Sequence, residues 1–267
     1  MSFNVNGLRA RLPQLQSVLE EHTPDVIGLQ ETKVSDEEFP VDAIRELGYQ
    51  CYFHGQKGHY GVALLSKSPA LSVSRGFPED REDAQKRLIH GKFGTESNAI
   101  HILNGYFPQG ENRDHPSKFP AKQKFYADLS DYLQASFKQG DKVIILGDMN
   151  VAPEDIDVGI KPDNAKRWLK TGKCAFLPEE RDWLSGLCNW GLIDTFRHKN
   201  GENVQSFSWF DYRSRGFEQE PKRGLRIDLI LASEPLLGAL QGAGIDYKAR
   251  EAVKPSDHCP IWADFRF

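Results

Sequence analysis

The chain is 267 residues long, 39% hydrophobic and 27% charged, with a formal net charge of −4. That length fits one large domain or at most two small ones and lets the fold bury roughly three quarters of the unfolded surface. No apolar run approaches the ~20 residues that cross a bilayer, and Met1-Ser2-Phe3-Asn4 lacks the basic-then-apolar opening of a secretory signal, so a membrane protein is excluded and a soluble enzyme fits.

In chain order, the apolar spacing first marks a helix. Pro13 suits a first helical turn, and Leu15, Val18 and Leu19 then recur at helical spacing. Thr23-Pro24-Asp25 stops that helix, and Val26-Ile27-Gly28-Leu29 reads as a buried strand. Gly61 to Leu65 and Ile100 to Tyr106 are the next strand candidates. Phe125, Leu129, Tyr132, Leu133 and Phe137 line one face of a long helix. Gly140-Asp141 ends it, before a further buried strand at Val143-Ile144-Ile145-Leu146. Later strands are predicted at Phe207 to Phe210, Leu225 to Ala232 and Pro260 to Phe265. Residues 108–124 and 150–178 are rich in Pro, Gly, Asn and charge and read as long loops, a length often tied to function. No repeat, linker or composition shift interrupts residues 1–267, so the pattern predicts a single α/β domain. Periodicity alone leaves open whether it holds one sheet or two.

Cys51, Cys174, Cys188 and Cys259 are scattered and never spaced as Cys-x-x-Cys. They argue against a disulfide framework or a zinc site and fit free thiols in a reducing cytoplasm. The negative net charge does not favour nucleic acid, but a binding face needs only local positive potential. Basic residues cluster at Lys86, Arg87 and Lys92; at Arg113, Lys118, Lys122 and Lys124; at Lys166, Arg167, Lys170 and Lys173; and at Arg213, Arg215, Lys222, Arg223 and Arg226. Such clusters are also ordinary solvated surface.

The chemistry shows where apolar strands stop. Val26 to Leu29 runs into Gln30-Glu31-Thr32, and Val143 to Leu146 runs into Gly147-Asp148-Met149-Asn150. Asp228 interrupts the apolar run Leu225 to Leu231, and Ser256-Asp257-His258 precedes the last strand. Ligands of α/β proteins bind in the crevice at strand ends. Each position also has an ordinary reading: Glu31 as surface carboxylate, Asp148 as turn residue, Asp257 as cap, His258 as core histidine. Asp228 resists that treatment, because a carboxylate in an apolar strand costs several kcal/mol unless paired, and His258 is the obvious partner. Together the acids, the amide and the histidine make a hard-oxygen site suited to Mg²⁺ or Mn²⁺. No phosphate-binding glycine loop, nucleophile elbow or dinucleotide fingerprint is present, which leaves metal-assisted phosphoester hydrolysis as the favoured chemistry.

These segments resemble the exonuclease III family of metal-dependent phosphodiesterases and abasic-site endonucleases. The match runs through Asn4 to Ala10, Leu29 to Lys33, Gly55 to Val62, Asn104 to Gly110, Gly147 to Asn150, Phe207 to Arg213, Gly224 to Asp228 and Ser256 to His258, in order and spacing over essentially the whole chain. The resemblance implies a four-layer α/β sandwich of the deoxyribonuclease I type, two packed mixed sheets flanked by helices. It implies a DNA repair nuclease that hydrolyses duplex DNA 5′ to abasic sites and trims 3′ ends, with 3′-phosphatase and 3′-phosphodiesterase activity. Magnesium, with manganese substituting, is the implied cofactor. Glu31 would be the main metal ligand, with Asn4 and Asp257 close by and Asp148, Asn150 and His258 contributing. Asp148, held by Asn150, would orient or deprotonate the attacking water. Asp228 would fix the tautomer of His258, which meets the scissile phosphate, and Tyr106 would donate to the phosphate or the leaving oxygen. Asn6, Arg9, His59, Arg87, Gln109, Lys170 and Arg213 would contact DNA, and Trp209, Leu225 and Ile227 would wall a pocket for a base-free sugar. Trp209 has the alternative reading of a plain core aromatic. The implied partner is double-stranded DNA, with no membrane and no obligate protein partner, and the implied location is the cytoplasm, at the nucleoid when on DNA. At the start, the first strand is shorter than the family pattern, which places the expected natural start upstream of Met1. The rival functions are a phosphatase of the same fold acting on a small or lipid phosphate, and an inactive DNA-binding relative.

Overall fold

Val143 to Leu146 is apolar at every position, and a strand greasy on both faces has to be covered on both. The computed structural model, which describes residues 1–267, provides that cover as two six-stranded sheets packed face to face with helices outside. In chain order the elements are β1 (Ser2–Asn4), α1 (Leu8–His22), β2 (Val26–Gln30), α2 (Val41–Arg45), β3 (Gln50–His54), β4 (Val62–Ser66), β5 (Ser72–Arg75), β6 (Leu88–Thr95) and β7 (Asn98–Tyr106). They continue with α3 (Lys118–Ser136), β8 (Val143–Asp148), α4 (Pro162–Thr171), α5 (Pro178–Asn189), β9 (Leu192–Asp194), α6 (Thr195–Asn200) and β10 (Asp228–Ser233). The last are α7 (Glu234–Leu237), β11 (Leu240–Ile245), α8 (Tyr247–Arg250) and β12 (Ile261–Phe265). One sheet has the order β11-β12-β1-β2-β4-β3 and the other β5-β6-β7-β8-β10-β9. The β1–β2 and β7–β8 pairs are parallel and the rest antiparallel, so both sheets are mixed. No helix is long and apolar enough to cross a membrane.

Alternation along each strand sorts the core into layers. Leu103, Ile145, Leu229 and Leu231 point outward onto α3 and α5, where Phe125, Leu129, Leu133 and Leu184 meet them. Ile102, Ile144, Leu146 and Ile230 point inward and pack against Val62 and Leu64 of the other sheet. On that sheet's far face, Phe3, Ile27, Leu29 and Leu65 pack on Leu15, Val18 and Leu19 of α1. Deleting one such buried leucine side chain costs about 2–5 kcal/mol.

The two sheets are pinned by a polar group. Asn104 of β7 donates from Nδ2 to the carbonyls of Leu29 and Ala63, at 2.9 and 2.7 Å, and accepts from Gln30 Nε2 at 2.6 Å. All three partners lie on the opposite sheet. The backbones come close enough here that a Cβ on Gly28 would stand 2.2 Å from Leu146 Cδ1 and 2.8 Å from Asn104 Cγ. Gly147 is equally constrained, with φ 147° and space for a Cβ closed by the carbonyl of Gly105.

Several expectations are corrected. Helix α1 starts at Leu8, so Pro13 lies inside it rather than in its first turn. The lost backbone donor is tolerated because Leu8, Leu15, Val18 and Leu19 bury a continuous apolar stripe. Phe207 to Phe210 is no strand; Trp209 makes only isolated bridges to Leu225 and His258. The strand read from Leu225 begins at Asp228, because Leu225 is drawn off to pair with Trp209 and Val158. The loop read over residues 150–178 contains α4, and the loop read over 108–124 runs into α3.

Two of the basic residues in those clusters are locked in fully buried ion pairs. Lys122 is fully buried in an ion pair with Glu180, and Arg226 in pairs with Asp157 and Asp194. Lys122 also donates to the carbonyls of Asn150 and Gln109, while Glu180 accepts from the backbone N–H groups of Ala175 and Leu177. Breaking such a pair strands the remaining charge. Lys122→Met is therefore expected to lower the unfolding free energy by about 3–5 kcal/mol in a urea titration; a loss under about 1 kcal/mol would mean the pair does not hold these loops.

A second polar cluster gives a pH signature. His90 Nε2 and His101 Nδ1 lie 3.0 Å apart, and His90 Nδ1 meets the Tyr132 hydroxyl at 3.0 Å. Ser74 faces His90 from β5, while Asp141 and Lys92 flank His101. Burial, then the neighbouring His101, lowers the His90 pKa to about 4. An unfolded histidine titrates near ~6.5, so the unfolded chain takes up the proton first, and stability is lost as pH falls from about 6.5 towards about 4. With partial exposure discounted, the loss is about 1–2 kcal/mol. Denaturant titrations of His90→Phe against the parent should show a shallower decline across that window; identical slopes would contradict the neutral pair.

Candidate active site

The strand directions gather polar residues at one end of the sandwich. Tyr106 and Asp148 are register partners on parallel β7 and β8, and Asp228 is the partner of Asp148 on antiparallel β10. The ends of β1 and β2 bring Asn4 and Glu31 alongside from the other sheet, and the turn before β12 brings Asp257 and His258. Asn6, Glu31 and Asn150 all hold left-handed backbone, with φ of 45°, 51° and 52°. Strained non-glycine residues of this kind collect at functional sites because the surrounding structure must over-determine them.

Asp148 is the hub. Its Oδ2 accepts from Asn4 Nδ2 at 3.0 Å, across the two sheets, and its Oδ1 accepts from the Asn150 N–H at 3.0 Å. Asn150 is itself oriented by Nδ2 donating to the Phe107 carbonyl at 2.9 Å. His258 Nδ1 donates to Asp228 at 2.9 Å (Oδ2) and 3.1 Å (Oδ1), leaving Nε2 directed at Asp148 Oδ2, 3.8 Å away. The pairing of Asp228 with His258 argued from the sequence is therefore present. Burial first, then Asp228 and Glu31, raises the Asp148 pKa to about 7. Burial opposes charge on His258, but Asp228, Asp148 and Asp257 outweigh it and push its pKa up to about 10.

Around this hub runs a chain of contacts. The Tyr106 hydroxyl donates to Glu31 Oε1, and Lys33 Nζ stands 3.4 Å from Glu31 Oε2. Lys33 donates to Asn6 Oδ1 at 2.6 Å, and Asn6 Nδ2 donates to Asp257 Oδ1 at 2.8 Å. Trp209 Nε1 completes it at Asp257 Oδ2, 3.0 Å away. Burial works against the Asp257 charge, yet His258 and the bonds from Asn6 and Trp209 hold its pKa below the ordinary value. Burial and the carboxylates of Glu31 and Asp148 raise the Tyr106 pKa well above its usual value, so its hydroxyl keeps its proton.

A cleft of about 460 Å³ opens over these groups, lined by Asn4, Asn6, Glu31, Tyr106, Gln109, Asp148, Asn150, Trp209, Arg213, Leu225, Ile227, Asp257 and His258. Asp228 stands behind His258, outside that lining. Trp209 is half-buried rather than core, and it forms one wall with Leu225 and Ile227.

Four residues expected to contact a substrate are elsewhere. Arg9 is exposed and paired with Glu38 at 3.7 Å, His59 is exposed beside Tyr60, and Lys170 is exposed on α4. Arg87 is buried: its guanidinium lies 4.2 Å over the Tyr60 ring and 4.7 Å over the Tyr106 ring, and it donates to the Tyr106 carbonyl at 2.9 Å. Its place is to hold Tyr106 from behind. Conversely, Lys33, Trp168 and Asp211 line the cleft without having been singled out as site residues, and Lys173 of the basic run lines it too. Lys33 could have been found from its place two residues after Glu31. Lys173 was visible only as one lysine of a basic run, and its ammonium sits 3.7 Å over the Trp168 ring.

The donors fit a hard divalent cation. Asp148, Asp228 and His258 present ligand atoms within 4.8 Å of one another. Glu31 and Asp257 add carboxylates, and Asn4 and Asn150 add amides, at the same cleft. Burial is the main cause of the raised Asp148 pKa, with Asp228 and Glu31 adding to it against His258, and a bound cation would offset that penalty on the carboxylate.

Residues 1–258 match the model of the Endonuclease/Exonuclease/phosphatase family. The chain is 54% identical over 266 residues to exodeoxyribonuclease III of Haemophilus influenzae, covering 100% of this chain and 99% of that protein. Its fold is similar to an AP endonuclease from Archaeoglobus fulgidus, with a TM-score of 0.90 and 36% identity, covering 100% of this chain and 98% of that one. It is also similar to a 3′ phosphatase, NExo, from Neisseria bound to a product DNA hairpin, with a TM-score of 0.88 and 35% identity, covering 100% of this chain and 98% of that one. The layers, the hub at Asp148 and these likenesses agree, and the chain belongs to the Endonuclease/Exonuclease/phosphatase family as a hydrolytic DNA repair nuclease of the exonuclease III group.

Proposed function

We propose that the protein cuts duplex DNA on the 5′ side of abasic sites and removes nucleotides and phosphoryl groups from 3′ ends, using Mg²⁺ with Mn²⁺ as a substitute. The observation that carries this reading is the hub itself: a buried aspartate of raised pKa beside an Asp228-held histidine, with the apolar wall of Trp209, Leu225 and Ile227 at its side. The relatives named as exodeoxyribonuclease III, AP endonuclease and 3′ phosphatase support the same substrate.

In this mechanism Glu31 would be the principal metal ligand, with Asn4, Asp148, Asn150 and Asp257 as the further donors to that region, while His258, protonated on both ring nitrogens, has no lone pair for a cation and faces the phosphate instead. The bound cation supplies positive charge against the phosphate oxygens. Asp148 accepts the proton of the attacking water, its two oxygens held in place by Asn4 Nδ2 and the Asn150 N–H. The water oxygen bonds to phosphorus as the bond from phosphorus to the 3′ oxygen breaks. His258, held cationic by Asp228, places Nε2 against a non-bridging phosphate oxygen as negative charge develops there. Tyr106 donates towards the departing 3′ oxygen, which leaves as a hydroxyl. The wall of Trp209, Leu225 and Ile227 would pack against the base-free sugar turned into the cleft. An abasic nucleotide is also the cheapest to turn out of the helix, since an intact one costs a few kcal/mol more.

The test is the purified protein with Mg²⁺ on labelled duplexes carrying an abasic site, a recessed 3′ end, a 3′-phosphate or no lesion. Cleavage of the first three but not of internal sites in the intact duplex is expected, with all activity lost in EDTA and restored by Mg²⁺ or Mn²⁺. Activity that survives EDTA would overturn the metal assignment, and turnover of soluble or lipid phosphates without DNA cleavage would overturn the substrate.

A further inference from the structure

Beside the catalytic cleft, a second depression of about 440 Å³ is lined by Arg11, Tyr212, Arg215, Phe217, Glu218, Arg250, Lys254 and Pro255. Its charge is lopsided: Arg11, Arg215, Arg250 and Lys254 stand against the single carboxylate of Glu218, which Arg215 already occupies. Neighbouring surface cations are neutralised, Lys248 by Glu21 and Lys222 by Glu220. Arg11, Arg250 and Lys254 have no carboxylate in ion-pair reach, and the Nε atoms of both arginines are buried without a partner. What faces the depression is three cations with no carboxylate to balance them, and an incoming anionic oxygen would supply that balance.

The depression is also held in shape. The Arg250 guanidinium lies 5.3 Å over the Tyr212 ring and 5.2 Å over the Phe217 ring. Arg11 Nη1 is anchored on the Asn6 carbonyl at 3.0 Å, and its Nη2 reaches the Tyr212 hydroxyl at 3.5 Å. That hydroxyl donates to the Pro255 carbonyl at 2.6 Å. Every anchor leads back to the catalytic cleft: the Asn6 side chain holds Asp257, Tyr212 precedes the cleft residue Arg213, and Pro255 leads through Ser256 to Asp257.

We infer that Arg11, Arg250 and Lys254 form a second phosphate site, which takes a backbone phosphodiester of the DNA strand as it leaves the cleft past Tyr212 and Arg213. The chemistry is that of guanidinium and ammonium groups with donors to spare meeting an anionic oxygen. Its use to the enzyme is grip and register, since phosphate contacts position a duplex without reading its sequence. The inference rests on the DNA reading of the catalytic cleft.

The test compares the parent protein with the Arg250→Gln/Lys254→Gln double variant on abasic duplex at a series of salt concentrations. Each phosphate neutralised contributes about 0.9 to the slope of log affinity against log salt, so the variant's slope should be shallower by about one. At ~0.15 M salt KM should rise roughly tenfold while kcat stays within about twofold, and Arg250→Lys should keep the parent slope. A scan that replaces backbone phosphates singly with uncharged methylphosphonate should find a position outside the cleft that raises KM in the parent and has no effect in the variant. An unchanged slope in a variant of a parent that cuts abasic DNA would refute this site alone. A silent methylphosphonate scan, with inorganic phosphate stabilising the parent but not the variant, would assign the cluster to free phosphate and equally refute it. A parent that cuts no duplex would remove the DNA reading and this site together.

Discussion

The site depends on one buried amide. Asn104 is fully enclosed between the sheets, and its three bonds to Leu29, Ala63 and Gln30 leave little freedom for one sheet to slide on the other. Apolar packing between Ile102, Ile144, Leu146, Val62 and Leu64 provides most of the attraction, but apolar contact is non-directional and tolerates small shifts. Hydrogen bonds do not, because a displaced partner leaves a buried carbonyl unsatisfied at about 1–3 kcal/mol. Two residues beyond Asn104, Tyr106 meets Glu31 of the opposite sheet, and Asn4 meets Asp148 by the same crossing. The groups of the candidate site thus come from both sheets and hold their distances only while the sheets keep register. Gly28 belongs to the same constraint, as any side chain there would collide with Leu146 and Asn104.

Electrostatics then sets what the assembled groups do. Glu31, Asp148, Asp228 and Asp257 share one end of the sandwich with few cations, chiefly Lys33 and a charged His258. Asp228 uses its charge on His258, and Asp257 accepts from Asn6 and Trp209. Burial, with Asp228 and Glu31 beside it, raises the pKa of Asp148. Behind these groups, buried ion pairs hold the loops: Lys122 with Glu180 fixes the segment around Asn150, and Arg226 with Asp157 fixes the approach to Asp228. Those pairs add geometric definition, which a site built from strand ends and loops requires.

Much of this was legible because the site interrupts regular patterns. Asp228 stood out as a charge in an apolar run, and the cost of burying it pointed to His258, which is where its partner lies. Glu31 and Asp148 were visible as acids at the ends of buried strands. What was not legible depended on distant partners. Lys122 and Arg226 read as surface charge because nothing local shows that Glu180 and Asp157 wait 58 and 69 residues away. Arg87, one residue of a basic run, carries no local sign that two tyrosine rings enclose it. The aromatic spacing of Phe207 to Phe210 imitated a strand, but tertiary bonds from Trp209 to Leu225 and His258 and from Ser208 to Ile227 and Asp228 set its shape instead.

The claim that sheet register governs catalysis can be measured directly through Asn104→Leu, which keeps the volume and removes the three inter-sheet bonds. Single-turnover kinetics on abasic duplex, well below the variant's unfolding temperature and with DNA affinity measured in parallel, separates geometry from stability. A misplacement of about 1 Å between reacting groups costs on the order of 10²-fold in rate. The account predicts a fall of that order in the chemical step, with DNA affinity changed by less than about threefold because the cleft walls remain. A folded variant that cleaves at the parent rate would show that the two sheets keep their register without Asn104, and would contradict the account at its root.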